Sequence, residues 1–287
     1  MSPHPTLLVV GHGSRSAAGV SEYWKLARAV SAQAPELHVG CGFIELAGPD
    51  LDTAVDGLVA AGATSVVATP LVLLGAGHLK NDGPAALHRG RHRHPGVEFR
   101  YGRDLGIHPL VLDVAQDRIG DATSGDAPAA TAVVLVGRGS SDPDANADLY
   151  KVARLLWDRC GRGVVEPAFV SLAPPTVAAA LERCRRLGAT RIAVVPYFLF
   201  SGVLVDRIRA ETAAWARRHP SLQVRHGPHL GADPRIAALV LERYHEALTG
   251  DVRMNCDLCV YRTALPGHEH RVGAPVRVEH HDLDGRG

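Results

Sequence analysis

Short apolar runs alternate along the chain with longer amphipathic stretches. Runs at residues 7–10, 38–43, 65–70 and 98–101 are bounded by Gly or Pro and have the length of strands. Residues 20–34, 50–61, 82–94 and 107–119 carry helical patterns, and Pro35, Gly62 and Pro95 stop three of them. Strand followed by helix, repeated, is the pattern of a parallel sheet covered on both faces, because each crossover between parallel strands needs an element long enough to return.

The pattern is written twice. LLVVGHGSR at residues 7–15 recurs as VLVGRGSSD at 134–142, which places Gly11 over Gly137 at an offset of 126. At the same offset FIELAGP (43–49) falls over FVSLAPP (169–175), and residues 58–79 fall over 184–205. YGRDLGIHP (101–109) lies over HGPHLGADP (226–234), one residue out of step. The second half therefore predicts strands at 132–136, 164–169, 191–197 and 223–226, each followed by a helix. The fold class expected is α/β, two tandem doubly wound parallel-sheet lobes made by internal duplication. Residues 1–124 form the first lobe, 131–250 the second, and 251–287 a Cys- and His-containing tail. Residues 120–131, GDATSGDAPAAT, have the small, polar, Pro- and Gly-containing composition of a linker.

Composition narrows the function. Lys plus Arg at 31 against Asp plus Glu at 30 leaves a net charge of +1, which excludes a nucleic-acid binder that works by bulk electrostatics. No run approaches the roughly 18–20 apolar residues of a membrane span, and the N-terminal stretch leads straight into a strand, so a soluble, cytoplasmic protein is expected. Five cysteines, three of them scattered singly, do not make a disulfide framework. Aromatic residues are only 5%, so Val, Leu and Ala must fill the interior. The 16 histidines are the one strong skew, and imidazole is both a common metal ligand and a group that titrates near neutrality. The run HRGRHRHPG (88–96) reads as the solvated end of a helix.

In open parallel sheets ligands bind outside the carboxyl ends of the strands. In the first half that rule selects GHGSR, IELAGP, LVLLGAGHLKND and GRDLG, which bring His12, Glu45 and His78 to one rim. Two imidazoles and a carboxylate can hold a divalent ion in an open coordination sphere, and they can accept protons. In the second half Arg138 stands for His12, Ser171 for Glu45 and Leu204 for His78, so one site per chain is expected. PYFLFSG (196–202) would supply an apolar wall.

With the duplication, GHGSR, FIELAGP and PLVLLGAGHLKNDGP resemble the sirohydrochlorin chelatases, the class II chelatases that make cobalt- or iron-sirohydrochlorin. The resemblance runs to about residue 250. It implies that His12 and His78 bind metal or accept pyrrole protons, that Glu45 assists, and that Co²⁺ or Fe²⁺ is a substrate. No organic cofactor is implied. Sirohydrochlorin is a polycarboxylate, so Arg15, Lys80, Arg103 and Arg138 are the expected partners of its acid groups. In the tail, Cys256 and Cys259 form a C-x-x-C pair, which is half of a zinc or iron–sulfur site. Longer members of the family carry a similar tail associated with an iron–sulfur cluster. Here the remaining ligands would come from a second chain or from the body, and zinc or a silent extension are the alternatives. A monomer suffices for a two-lobed cleft, and the tail gives a route to a homodimer. A non-catalytic metal or tetrapyrrole carrier is the competing function. Phosphate or nucleotide binding ranks last, since neither GHGSRS nor GRGSSD completes a nucleotide-binding glycine motif.

Overall fold

The computed structural model describes residues 5–124, 131–161, 163–252, 261 and 269–273. The first half runs β1 (Thr6–Gly11), α1 (Ala17–Gln33), β2 (Val39–Phe43), α2 (Leu51–Ala60), β3 (Ser65–Pro70), a π-turn (His78–Asp82), α3 (Gly83–Arg93), β4 (Glu98–Tyr101) and α4 (Pro109–Ala122). The second runs β5 (Thr131–Gly137), α5 (Pro143–Cys160), β6 (Val164–Phe169), α6 (Val177–Arg186), β7 (Arg191–Pro196), α7 (Val203–Arg217), β8 (Gln223–His226) and α8 (Pro234–Thr249). Each half is a four-stranded parallel sheet, in the orders β2-β1-β3-β4 and β6-β5-β7-β8. Every residue of β1 and of β5 is buried, as expected of central strands with helices on both faces.

The helix starts follow from capping. Ser16 accepts from the Gly19 amide and caps α1, which opens at Ala17, three residues before the apolar periodicity becomes evident at Val20. At α4 the His108 side chain accepts from the Leu110 amide and Pro109 occupies the first turn, so the helix begins two residues later than the pattern predicts. The expected helix at 82–94 is preceded by a π-turn that no hydrophobic period signals. The expected linker is shorter than its composition implies, because α4 continues through Ala122 and β5 begins at Thr131.

The halves are not separate beads. One hydrophobic cluster runs through both, from Leu7, Val9 and Val67 to Val133, Leu135 and Val195, by way of α1, α4, α5 and α8. The last helix of each half packs on the sheet of the other: α4 lies against β7, and α8 against β3 and β4. Two arginines secure this exchange symmetrically. Arg118 of α4 donates to the Leu230 carbonyl at 2.9 and 3.1 Å. Arg243 of α8, its duplicate, donates to the Leu105 carbonyl at 2.8 Å and the Asp104 carbonyl at 3.0 Å. Where α1 meets the second half the backbones are so close that a Cβ on Gly19 would lie 2.5 Å from the Ser201 carbonyl oxygen.

Candidate active site

The carboxyl ends of both sheets open on one cavity of about 600 Å³ between the lobes. Its first wall carries His12, Arg15 and Glu45, with Leu46 and Leu71–Leu74 beside them, and its second carries Arg138 and the segment from Tyr197 to Val205. The lining is mainly apolar with a few polar groups, the usual constitution of a site that grips a large, partly hydrophobic ligand.

The loops that present His12 and Glu45 are braced against each other. The Glu45 amide donates to the His12 carbonyl at 3.0 Å, and Gly13 passes so near that a Cβ would sit 1.7 Å from the Glu45 oxygen. Gly13 also has φ +96°, so glycine is required twice over. Ala47 then donates to the Glu45 carbonyl at 2.8 Å around Leu46, whose φ is +63°. That is a γ-turn of the rarer hand, and it turns Glu45 toward the cleft. The second lobe repeats the device with Gly139, Ser171 and Leu172 while lacking the acid, so the scaffold outlasts the chemistry it carries in the first.

His12 Nε2 lies 3.4 Å from Glu45 Oε1, and both side chains are about one-third exposed. On the other edge of the ring Nδ1 is 3.2 Å from the Gly13 carbonyl, which can only accept, so a neutral ring that keeps this bond has its proton on Nδ1. In that tautomer the Nε2 lone pair and a carboxylate oxygen share one patch of cleft. Two electron-rich atoms so placed favour a cation or a proton between them. His78 opens the π-turn after β3, at the same end of the sheet; its side chain lies outside the described residues.

The four basic residues divide. Arg15 and Arg138 line the cavity from opposite lobes and are exposed. Lys80 and Arg103 do not line it. Lys80, expected to meet a substrate carboxylate, instead reaches across the lobes to Asp142 at 2.7 Å and Asp144 at 3.1 Å. Burial draws its ammonium down, and the two acids more than offset this, leaving its pKa raised. Arg103 sits beside Asp104 at 3.7 Å. Cys256 and Cys259 lie outside the described residues, and among those described no group of three or more His, Cys, Asp or Glu is disposed to hold a metal.

Several groups at the lobe junction escape sequence reasoning. Glu22 of α1 accepts from the Ser201 amide at 2.6 Å and pairs with His229 at 3.1 Å. Its counterpart in the second lobe, Asp148, has no histidine or amide partner among the described residues. Burial, then Asp144, then Asp104 push its carboxyl up to about 6. Tyr197 is buried in the cavity wall with its phenol driven upward by desolvation. The repeat itself held the signal for the Asp142 pair: DPD in GRGSSDPD has no counterpart in GHGSRSAA.

Two duplicated parallel-sheet lobes, closing an apolar cleft with imidazole and carboxylate on one wall, define a chelatase-like α/β protein. The chain belongs to the CbiX family, whose model matches residues 6–122 and again 132–247. It is 37% identical over 265 residues to the sirohydrochlorin cobaltochelatase of Priestia megaterium, covering 92% of this chain and 86% of that protein. It is 31% identical over 241 residues to the sirohydrochlorin ferrochelatase of Bacillus subtilis (strain 168), covering 84% and 90%. Among solved structures it is similar to the sirohydrochlorin chelatase SirB from Bacillus subtilis subspecies spizizenii in complex with cobalt. The TM-score is 0.73 and the identity 29%, over 86% of this chain and 97% of that one.

Proposed function

We propose that this protein is a sirohydrochlorin chelatase that inserts Co²⁺ or Fe²⁺ into sirohydrochlorin within the interlobe cleft. The observation that carries the reading is the His12–Glu45 pair facing an apolar cavity, in a chain related along nearly its whole length to sirohydrochlorin chelatases. Metallation needs a site that holds a divalent ion without caging it and a base for two pyrrole protons. His12 Nε2 and Glu45 supply an electron-rich, partly exposed pair for both tasks, and His78 completes the set. The apolar wall at Phe198–Phe200 receives the face of the macrocycle, and Arg15 and Arg138 receive peripheral carboxylates from the two sides.

The cleft is complete within one chain, which supports a monomeric active unit whose lobes span residues 1–124 and 131–250. No described helix is long and apolar enough to cross a membrane, which agrees with a cytoplasmic enzyme. For Cys256 and Cys259 the reading is a contribution to a cluster or zinc site, tested by the iron, sulfide and zinc content of protein purified without oxygen.

A carrier and an enzyme are separated by turnover. Incubated anaerobically with excess sirohydrochlorin and Co²⁺ or Fe²⁺, a chelatase yields many equivalents of metallated product per chain, followed by absorbance. One bound equivalent and no acceleration over the protein-free rate would instead establish a carrier.

A further inference from the structure

The duplication provides an internal comparison for the segment after the third strand of each lobe. In the first lobe that segment is the π-turn His78–Asp82, with Lys80 at its centre. In the second, α7 starts directly at Val203 behind Gly202, with Leu204 in the place of His78 and Asp206 in the place of Lys80. Asp206 is 74% exposed, and among the described residues its ion pair is with Arg209 of its own helix, at 3.8 Å. Asp142 and Asp144 likewise stand over Ser16 and Ala18, which carry no charge. The ion triad Lys80–Asp142–Asp144 thus exists on one side of the pseudo-symmetric junction, the side whose loop carries a histidine.

Its placement is unusual for a surface pair. Exposure of the three side chains is 11%, 3% and 6%, so neither water nor salt screens it appreciably. A buried ion pair is an inefficient source of stability compared with apolar packing, and its best-attested use is to fix one arrangement against alternatives. What it fixes here is a single wide turn, a rare form of helix that is frequent at functional sites. Lys80 lies two residues from His78, its amide donates to the Ala76 carbonyl at 2.9 Å, and its ammonium is tied to the start of α5 in the other lobe.

We propose that Asp142 and Asp144 act through Lys80 as an interlobe latch that positions the His78 turn for metal, so that the degenerate lobe contributes geometry to a site whose ligands all come from the first. The inference rests on the reading of His78 as a metal ligand. Lys80, Asp142 and Asp144 are then positioning residues, comparable to the outer groups that orient a ligand in a metal site.

Titration with Co²⁺ alone, by calorimetry and by the visible absorption of bound cobalt, tests this in a cycle of four full-length proteins: wild type, D142N/D144N, H78A and the combination. Asn at 142 retains the capping oxygen that Asp142 offers to the Asp144 amide while removing the charge. The latch predicts that D142N/D144N weakens Co²⁺ binding about tenfold, and that the same change in the H78A background has no further effect. Equal weakening in both backgrounds, or D142N/D144N binding Co²⁺ like wild type while H78A does not, overturns it. If H78A itself binds Co²⁺ like wild type, the failure lies with His78 as a ligand, and the latch loses its object. Asp144→Asn alone, which keeps the shorter contact to Asp142, carries the same cycle should the double substitution not fold. Lys80→Arg, able to span both carboxylates, should restore most of the affinity that Lys80→Met loses.

Discussion

Asp148 shows how a single side chain can record an imbalance in a duplicated fold. Its counterpart Glu22 has a histidine and an amide as partners, whereas Asp148 is half-buried near Asp144 and Asp104, with Lys151 and Lys80 offsetting these only in part. A carboxyl whose folded pKa is about 6 against roughly 3.9 in the unfolded chain favours the protonated native state. Its contribution to stability is therefore present in full below about pH 4 and is lost as pH rises through 6. Asp148→Asn is expected to raise stability at pH 8 by about 1 kcal/mol, after allowance for solvent screening, and to leave it unchanged at pH 4. Thermal unfolding at the two pH values checks this; equal effects at both would show that the carboxyl is not strained.

At the scale of elements, the exchange of α4 and α8 between the sheets depends on Arg118 and Arg243. Arg243 is 2% exposed and serves two carbonyls and Glu246, while Arg118 is 23% exposed at the side chain. Burial, with Arg103 nearby, pulls the Arg243 pKa down, so this guanidinium is the more tightly enclosed of the two. Truncation leaves orphaned carbonyls that water reaches poorly in the deeper case. Arg243→Leu should cost about 3 kcal/mol and Arg118→Leu about 1 kcal/mol by urea unfolding; the reverse order would contradict the assigned roles.

The same elements show what a sequence can reveal. Strands such as Thr6–Gly11 and Thr131–Gly137 were legible because central parallel strands are apolar throughout, and the GHG and GRG loops because a 126-residue offset aligns them. His12 and Glu45 meet as the strand-end rule predicts, since both sit where neighbouring strands stop. Lys80 escaped that rule: being at a rim says nothing about which carboxylates lie across it, and its partners come from the other repeat. The helix exchange escaped for a related reason. An amphipathic pattern shows that a face of α8 is buried, and does not say against which sheet.

For the whole molecule, one continuous core and exchanged helices make the two halves a single cooperative unit. Residues 1–124 alone would lack α8 over β3 and would offer α4 to no partner sheet. Expressed alone, that fragment is expected to self-associate, the simplest arrangement being two copies that exchange α4, and sedimentation should find no folded monomer. A monomer with native circular dichroism would show that the lobes are independent. In the intact chain, denaturant unfolding should be a single transition by both tryptophan fluorescence and circular dichroism.

In the proposed function, metal insertion in this cleft depends on the His12–Glu45 pair at its mouth. The most direct measurement is the initial rate of cobalt insertion into sirohydrochlorin by wild type, His12→Ala and Glu45→Gln, alongside the affinity of each for metal-free sirohydrochlorin. The predicted result is a rate reduced by about 100-fold or more in His12→Ala and about tenfold in Glu45→Gln, with macrocycle affinity close to wild type. A His12→Ala protein that metallates sirohydrochlorin at the wild-type rate would contradict the site.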